Sequence, residues 1–395
     1  MLLIKRARGL ARRLVPAVRR AGQQLRWRTT WAISPGGDRL APPPWKLAAV
    51  PQSARLVARY DAPPEPIVRP LVYGATPQPA DLVALPQQTA DRPLSLTCYR
   101  DAAMLGRRLF VSRLQGTVLP YSFHATRDRD IPASDIGLGH SPPGLGRRIE
   151  RVSGPIFAPD VRFDEFGHVL LETIPALALL GDVPADAVVA TSATVGRSLL
   201  VMGEALGVAP ERWRQVRQPL LCDELYLPDL PIQIYRHIHP IGREALDRLG
   251  RLGNRAGLSN GPERIFLSRS RIPRRRLLNE AEIEAEFARQ GFTIIHPETL
   301  PIESQIALMQ SARLVAGAAG TAMHLMAFAP PEARVLILSS PVWFTTIDIH
   351  LNPRDGRLGY VFGVSEPVAD RRRFVAPWSI DAAEVKAAIR AHFDI

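Results

Sequence analysis

Between residues 263 and 341 apolar runs and amphipathic runs alternate with short links, and this alternation restricts the fold more than any other feature of the chain. A strand pattern at 264–267 ends in Ser268 and Arg269, with Arg271, Arg274, Arg275 and Arg276 close behind. A helical pattern follows at 279–290, then an apolar strand at 291–296 and a helix at 302–311. A second strand, 313–316, runs into a turn of small residues at 317–322 that includes Gly317, Gly320 and Thr321, and a helix follows at 323–328. A third strand, 334–338, closes the unit. Strand, helix, strand, helix, strand is the pattern of a doubly wound parallel sheet. Such sheets bind ligands outside the carboxyl ends of their strands, so a nucleotide site is expected at the turn after Ala316.

The chain has 395 residues, more than one core usually supports, so a second domain is expected. With 46% hydrophobic and 22% charged residues, disorder is excluded as the main state. A second alternating run supplies the other domain: strands at 187–190 and 220–227, helices at 195–206 and 243–252, and two strands at 109–112 and 117–119. The expected division has a basic arm at 1–33, then a proline-rich linker and lead-in segment at 34–93. An N-terminal α/β lobe at 94–257 and a C-terminal α/β lobe with a terminal helix at 258–395 complete it. Cys98 and Cys222 form neither a disulfide framework nor a metal knuckle, and they read as two unrelated buried thiols.

The formal charge of +12 comes mostly from arginine. Its distribution argues against nucleic acid as a partner, because no basic run is interleaved with stacking aromatics and no nucleic-acid module is present. Residues 1–28 hold Lys5, Arg6, Arg8, Arg12, Arg13, Arg19, Arg20, Arg26 and Arg28 with no acid, while Leu3, Ala7, Leu10, Ala11 and Leu14 recur at helical spacing. Two readings stand: a helix lying on an anionic membrane surface, or a disordered basic arm interrupted by Pro16. No run has the apolar length of a transmembrane helix, and the arm lacks the continuous apolar centre of a secretory signal.

Three groups of residues could carry chemistry. His168 and Glu172 stand four apart on a helical pattern, so they share a face and could act as an acid/base pair or grip a substrate. A core histidine beside a solvated glutamate has the same spacing. Arg269, Arg275 and Arg276, at the end of a strand, suit the oxygens of a diphosphate, although most arginine runs are solvated loops. The small-residue turn would let an anion approach backbone N–H groups at a helix start, with His324 just inside that helix. Tight strand–helix packing also selects small residues. His124 and His140 read as loop residues. His237 and His239 are candidates for a cleft lining, and no third ligand accompanies them to hold a metal.

Taken together, these motifs resemble glycosyltransferase family 61 in order and spacing. The resemblance runs through Phe166-Gly-His168 with Glu172, the strand 265–269, Arg275 to Glu280, Gly291-Phe292, Pro297-Glu298, Gln305 and 317–328. It covers about residues 160–340. It implies a GT-B-like α/β fold in which two Rossmann-like lobes face a central cleft. It further implies inverting transfer of a sugar from a nucleotide-sugar donor to a glycan or lipid-linked acceptor, with no metal or other cofactor. By position, His168 and Glu172 match the family's histidine and acid in the acceptor lobe. Ser268, Arg269, Arg275 and Arg276 fall at its basic donor positions, and Gly317, Gly320, Thr321 and His324 at its donor turn. The sequence departs from the family at Ala319, where many members carry histidine, and at Ser304, where they often carry glutamate. In these respects the turn looks like that of a bacterial subgroup of capsular polysaccharide enzymes, which implies work at the inner face of the cytoplasmic membrane. Two other readings remain: a non-catalytic member that binds nucleotide or glycan, and a nucleic-acid-binding protein.

Overall fold

The structure is a computed structural model that describes residues 46–47, 54–104, 110–112, 117–118, 150–159, 165–217, 220–234, 236–256, 261–353, 355–368 and 375–395. The basic arm 1–33, with its two readings, and the loop that holds His124 and His140 lie outside the described residues.

The strands are β1 (Lys46–Leu47), β2 (Ala54–Tyr60), β3 (Leu71–Tyr73), β4 (Leu94–Met104), β5 (Phe110–Ser112), β6 (Thr117–Val118) and β7 (Glu150–Phe157). They continue with β8 (Val188–Thr191), β9 (Trp213–Gln215), β10 (Leu220–Pro228), β11 (Ile232–Gln233) and β12 (His237–Ile238). Then come β13 (Arg264–Leu267), β14 (Thr293–Ile295), β15 (Leu314–Ala318), β16 (Arg334–Ser339) and β17 (Leu358–Phe362), followed by β18 (Val364–Ser365) and β19 (Trp378–Ser379), which pair with each other. A nine-stranded mixed sheet has the order β1-β6-β5-β4-β10-β7-β8-β9, and β2 also pairs with β4. In it β10, β7, β8 and β9 run parallel, while β4 is antiparallel to its neighbours β10, β5 and β2.

The second sheet has six strands in the order β14-β13-β15-β16-β17-β3, and every pairing is parallel. Counting only the strands after residue 260, the order is 2-1-3-4-5, so the winding reverses between β13 and β15. The crossovers are α3 (Glu280–Arg289), α4 (Ile302–Ser311), a 3-10 helix at Thr321–Phe328 and α5 (Ile347–Leu351). Earlier in the chain come α1 (Arg197–Ala205) and α2 (Pro240–Gly250), and α6 (Ala382–Phe393) ends it. The doubly wound parallel sheet expected from the alternation of residues 263–341 is therefore present, in a mixed α/β protein consistent with a Rossmann-like glycosyltransferase. One edge of this sheet comes from far upstream: β3, within the proline-rich segment 34–93, pairs with β17.

Side-chain period decides how the sheets are covered. Ile265, Leu267, Val315, Val335, Ile337, Tyr360 and Phe362 point to one face and join a core shared with the first sheet. Phe266, Ala316, Leu336, Leu338 and Val361 point to the other, where Phe287 of α3 and Ile389 of α6 cover them. The shared core is filled by Leu170, Leu171, Ile174 and Leu177 from residues 166–182 and by Ala245, Leu246 and Leu249 from α2. These helices thus stand between the sheets. Cys98 and Cys222 are free and buried, as expected, and burial raises the Cys222 thiol to about 12.

Candidate active site

The helical stretch 166–182 is irregular. It begins as an α-helix at Phe166–His168, widens to a π-helix at Val169–Thr173, returns to an α-helix at Ile174–Ala176 and tightens to 3-10 at Leu177–Asp182. Pro175 gives a cause. It lacks the N–H that would bond the Leu171 carbonyl, and its ring crowds that carbonyl, so the preceding turn opens. The opened turn carries Glu172, which is completely buried.

One Glu172 oxygen, Oε1, accepts the Ile234 N–H at 3.0 Å. Its Oε2 accepts from His168 Nδ1 at 2.6 Å. A carboxylate only accepts, so this bond places a proton on Nδ1, and in the tautomer it selects the lone pair is on Nε2. The spacing of four noted in the sequence is thus a direct pair, held by a backbone donor from the loop after β11. The His168 side chain is 16% exposed, while that of Glu172 is not exposed at all.

The donor-turn residues meet the same helix. A Cβ on Gly167 would lie 2.5 Å from Thr321 Cγ2 and 3.0 Å from His324 Cδ2, so only glycine permits this contact. His324 is buried, and its Nδ1 pairs with Asp348 Oδ1 of α5 at 3.1 Å. Asp348 Oδ2 accepts from Tyr360 at 3.5 Å, and burial followed by this carboxylate raises the phenol well above its usual value. Two histidine–carboxylate pairs therefore flank Gly167, one from each side of the contact.

At the point where the winding reverses, Ser268 and Arg269 follow β13, and Ala319 and Gly320 follow β15. Arg269 is 7% exposed. Its N–H donates to Glu280 Oε1 at 2.6 Å and its Nη2 to the Arg274 carbonyl at 3.2 Å. A Cβ on Gly320 would lie 2.2 Å from Arg269 Nη1, so this glycine makes room for the guanidinium. Burial lowers the Arg269 pKa while Glu280 and Glu298 raise it, and arginine stays charged throughout. Glu280 is held up by its own burial.

The remaining predicted residues divide. The Arg275 guanidinium lies 3.7 Å above the Trp343 ring, and its carbonyl accepts from Trp378 Nε1 at 3.2 Å. Its backbone has φ +57°, an unusual conformation for arginine. Ala319 and Arg275 line a small cavity with Trp343 and Trp378. The Arg276 side chain is exposed, while its carbonyl accepts the Trp378 N–H at 3.0 Å. Arg274 is largely exposed and lies 3.6 Å from Glu165, at the start of the His168 helix. Ser268 turns away, its Oγ donating to Glu284 of α3 at 2.5 Å. Gly317 sits within β15, where a Cβ would come 2.8 Å from the Leu267 carbonyl and from Met323 Sδ. The geometry brings together His168, Glu172, Gly320, Thr321, His324 and Arg269. Ser268 and Gly317 serve packing around them.

Sequence reasoning did not single out Asp348 or Trp343. Asp348 carried one signal, an acid between Ile347 and Ile349. His239, read as a cleft residue, caps α2 by accepting the Ile241 N–H at 3.1 Å. His237 is half-buried on β12, where burial followed by Arg92 pushes it down to about 4. Among the described residues no group of three or more His, Cys, Asp or Glu could hold a metal ion. No described helix is long and apolar enough to cross a membrane.

No curated protein matches the chain. A family model, glycosyltransferase 61, matches residues 166–336, from the His168 helix to the middle of β16, and this match suggests a glycosyltransferase.

Proposed function

We propose that the protein is an inverting glycosyltransferase that moves a sugar from a nucleotide-sugar donor to a glycan or lipid-linked acceptor. The observation that carries the reading is the packing of the His168–Glu172 pair against the turn Gly320–Thr321–His324 through Gly167. It joins a base to an anion-binding strand end, and inverting transfer requires both.

In this reading His168 Nε2 takes the proton of the acceptor hydroxyl, and Glu172, held by the Ile234 N–H, orients the ring and balances the charge that develops on it. The hydroxyl oxygen bonds to the anomeric carbon as the bond to the donor phosphate breaks on the opposite face. The electron pair leaves on the diphosphate. Its charge is met by the Arg269 and Arg275 guanidiniums and by the N–H groups of Thr321 and Ala322, which precede the first turn-helix bond from Met323 N–H to Gly320 O. The same reading takes the two sheets as the lobes of a GT-B arrangement and needs no metal, since fixed cations face the leaving group. It places the enzyme in surface-polysaccharide synthesis at the cytoplasmic face of the membrane.

Ala319 favours a second reading, a non-catalytic nucleotide- or glycan-binding member. The His324–Asp348 pair, one turn later, supplies an imidazole to the same region and favours catalysis. Incubation with uridine, guanosine and cytidine diphosphate sugars and a panel of glycan acceptors separates the two. Transfer with inverted anomeric configuration, read by NMR, is expected. Nucleotide binding without transfer to any acceptor would favour the second reading.

A further inference from the structure

On the side of α5 that leads away from Asp348 lies a pocket of about 330 Å³ that no motif of the sequence predicted. Glu65, Thr89, Arg243 and His350 supply its polar part, and Ile67 and Val68 are among its apolar walls. This volume lies within the range of small-molecule sites.

The polar groups are fixed from behind. Arg92 is 2% exposed and grips both Glu65 oxygens, Nη1 to Oε2 at 3.2 Å and Nη2 to Oε1 at 3.1 Å. It also donates to the carbonyls of Pro63 and Ile238. Arg243 donates to the His350 carbonyl at 3.1 Å, and its Nη2 forms a loose ion pair with Glu65 Oε2 at 3.6 Å, longer than an ordinary N–H···O bond. An acceptor and a donor thus stand side by side, joined only by this long ion pair. A carboxylate only accepts and a guanidinium only donates, so a ligand that fits both must present a donor and an acceptor on adjacent atoms. Two neighbouring hydroxyls of a sugar ring do this, one donating to Glu65 and the other accepting from Arg243. Burial, then Arg243, pushes the His350 imidazole down to about 4, so at neutral pH it adds an uncharged donor and acceptor. The Arg92 hydrogen bond is the main cause that keeps the Glu65 pKa low, so a ligand group that faces this carboxylate must donate. Apolar walls suit the C–H face of a ring.

We infer that this pocket binds one uncharged saccharide unit. Its place identifies the source: α5 carries Asp348, which holds His324, and two residues later His350, which lines the pocket. Resting on the glycosyltransferase reading, the unit belongs to the acceptor glycan, some distance along the chain from the reacting hydroxyl.

Titration calorimetry and saturation-transfer NMR on the full chain test the inference, with the methyl glycosides of glucose, galactose and mannose as probes and glucuronate as the anionic control. At least one neutral glycoside should bind, and Val68→Trp, which fills the pocket, should weaken that binding tenfold or more. Arg243→Gln serves as the milder variant should Val68→Trp fail to fold, and should produce the same loss. Equal binding by wild type and both variants, no binding by any neutral glycoside, or binding by glucuronate alone would each overturn the inference. Uridine diphosphate binding, measured in parallel, should not change in either variant. Because neither readout requires turnover, loss of sugar binding reports on the pocket, whereas loss of transfer with sugar binding intact reports on the proposed reaction.

Discussion

The six-stranded and nine-stranded sheets contribute to the candidate site in different ways. In the parallel sheet the strand ends themselves carry it: Arg269 follows β13, Gly320 follows β15, and the guanidinium fills the space that a missing side chain leaves. Crossovers α3 and α5 then supply Glu280 and Asp348 to hold Arg269 and His324. The mixed sheet contributes no strand end. On its side of the fold the irregular helix 166–182, with the Ile234 N–H from the loop after β11 in a separate two-stranded sheet with β12, fixes His168 and Glu172. Anion binding can be built from backbone and regular geometry, whereas a base needs one side chain aimed by others, and a disturbed helix does the aiming.

That contrast can be broken by experiment. Arg269→Ala removes a buried cation from the strand-end half and should lower the transfer rate by about 10²–10³, the usual cost of one charge-stabilising donor. Rate and nucleotide affinity would be measured together, and full retention of both would remove the phosphate role. Acid should act next most strongly, through imidazoles on the parallel-sheet side of the fold. Burial pushes His350 and His392 down to about 4, as it does His237 on β12, so between that value and about 6.5 the unfolded chain binds protons that the folded chain does not. Stability therefore falls as pH drops through that window, by about 2 kcal/mol per group at pH 5. Urea titrations at pH 7.5 and 5 check it, and His392→Gln should remove one share of the loss.

Glycines sharpen the comparison further. Gly317→Ala forces a Cβ against the Leu267 carbonyl and Met323 in the parallel sheet, and should cost about 1–3 kcal/mol in a urea titration. Gly181→Ala, at the end of the irregular helix, meets nothing within 4 Å and should be neutral or stabilising by less than about 1 kcal/mol. Equal losses at the two positions would show that the strand-end half is no more tightly packed than the helix.

The parallel sheet was the legible half because its period and punctuation agree. Helix α4 occupies the residues its pattern predicts, 302–311. Strand β15 extends past Ala316 to Ala318 because Gly317 and Ala318 still pair with Ile337 and Leu338. The segment after the turn is helical, as its pattern suggests, but winds as 3-10. Strand β3 was not legible, since three residues inside a proline-rich stretch carry no period, and only the edge of β17 makes them a strand. At the site, spacing placed His168 and Glu172 on one face but could not tell a bonded pair from two strangers. The distinguishing contacts, Ile234 and Gly167 against Thr321, join residues far apart in the chain. The pairing of Asp348 was invisible for the same reason, because its partner His324 lies in a different crossover.

The central claim is that His168, aimed by Glu172, is the base of a site whose anion-binding half lies across Gly167. The most direct measurement is the transfer rate and the nucleotide affinity of His168→Ala side by side. The account predicts a rate lower by about 10²–10⁴ with nucleotide affinity unchanged; an undiminished rate would contradict it.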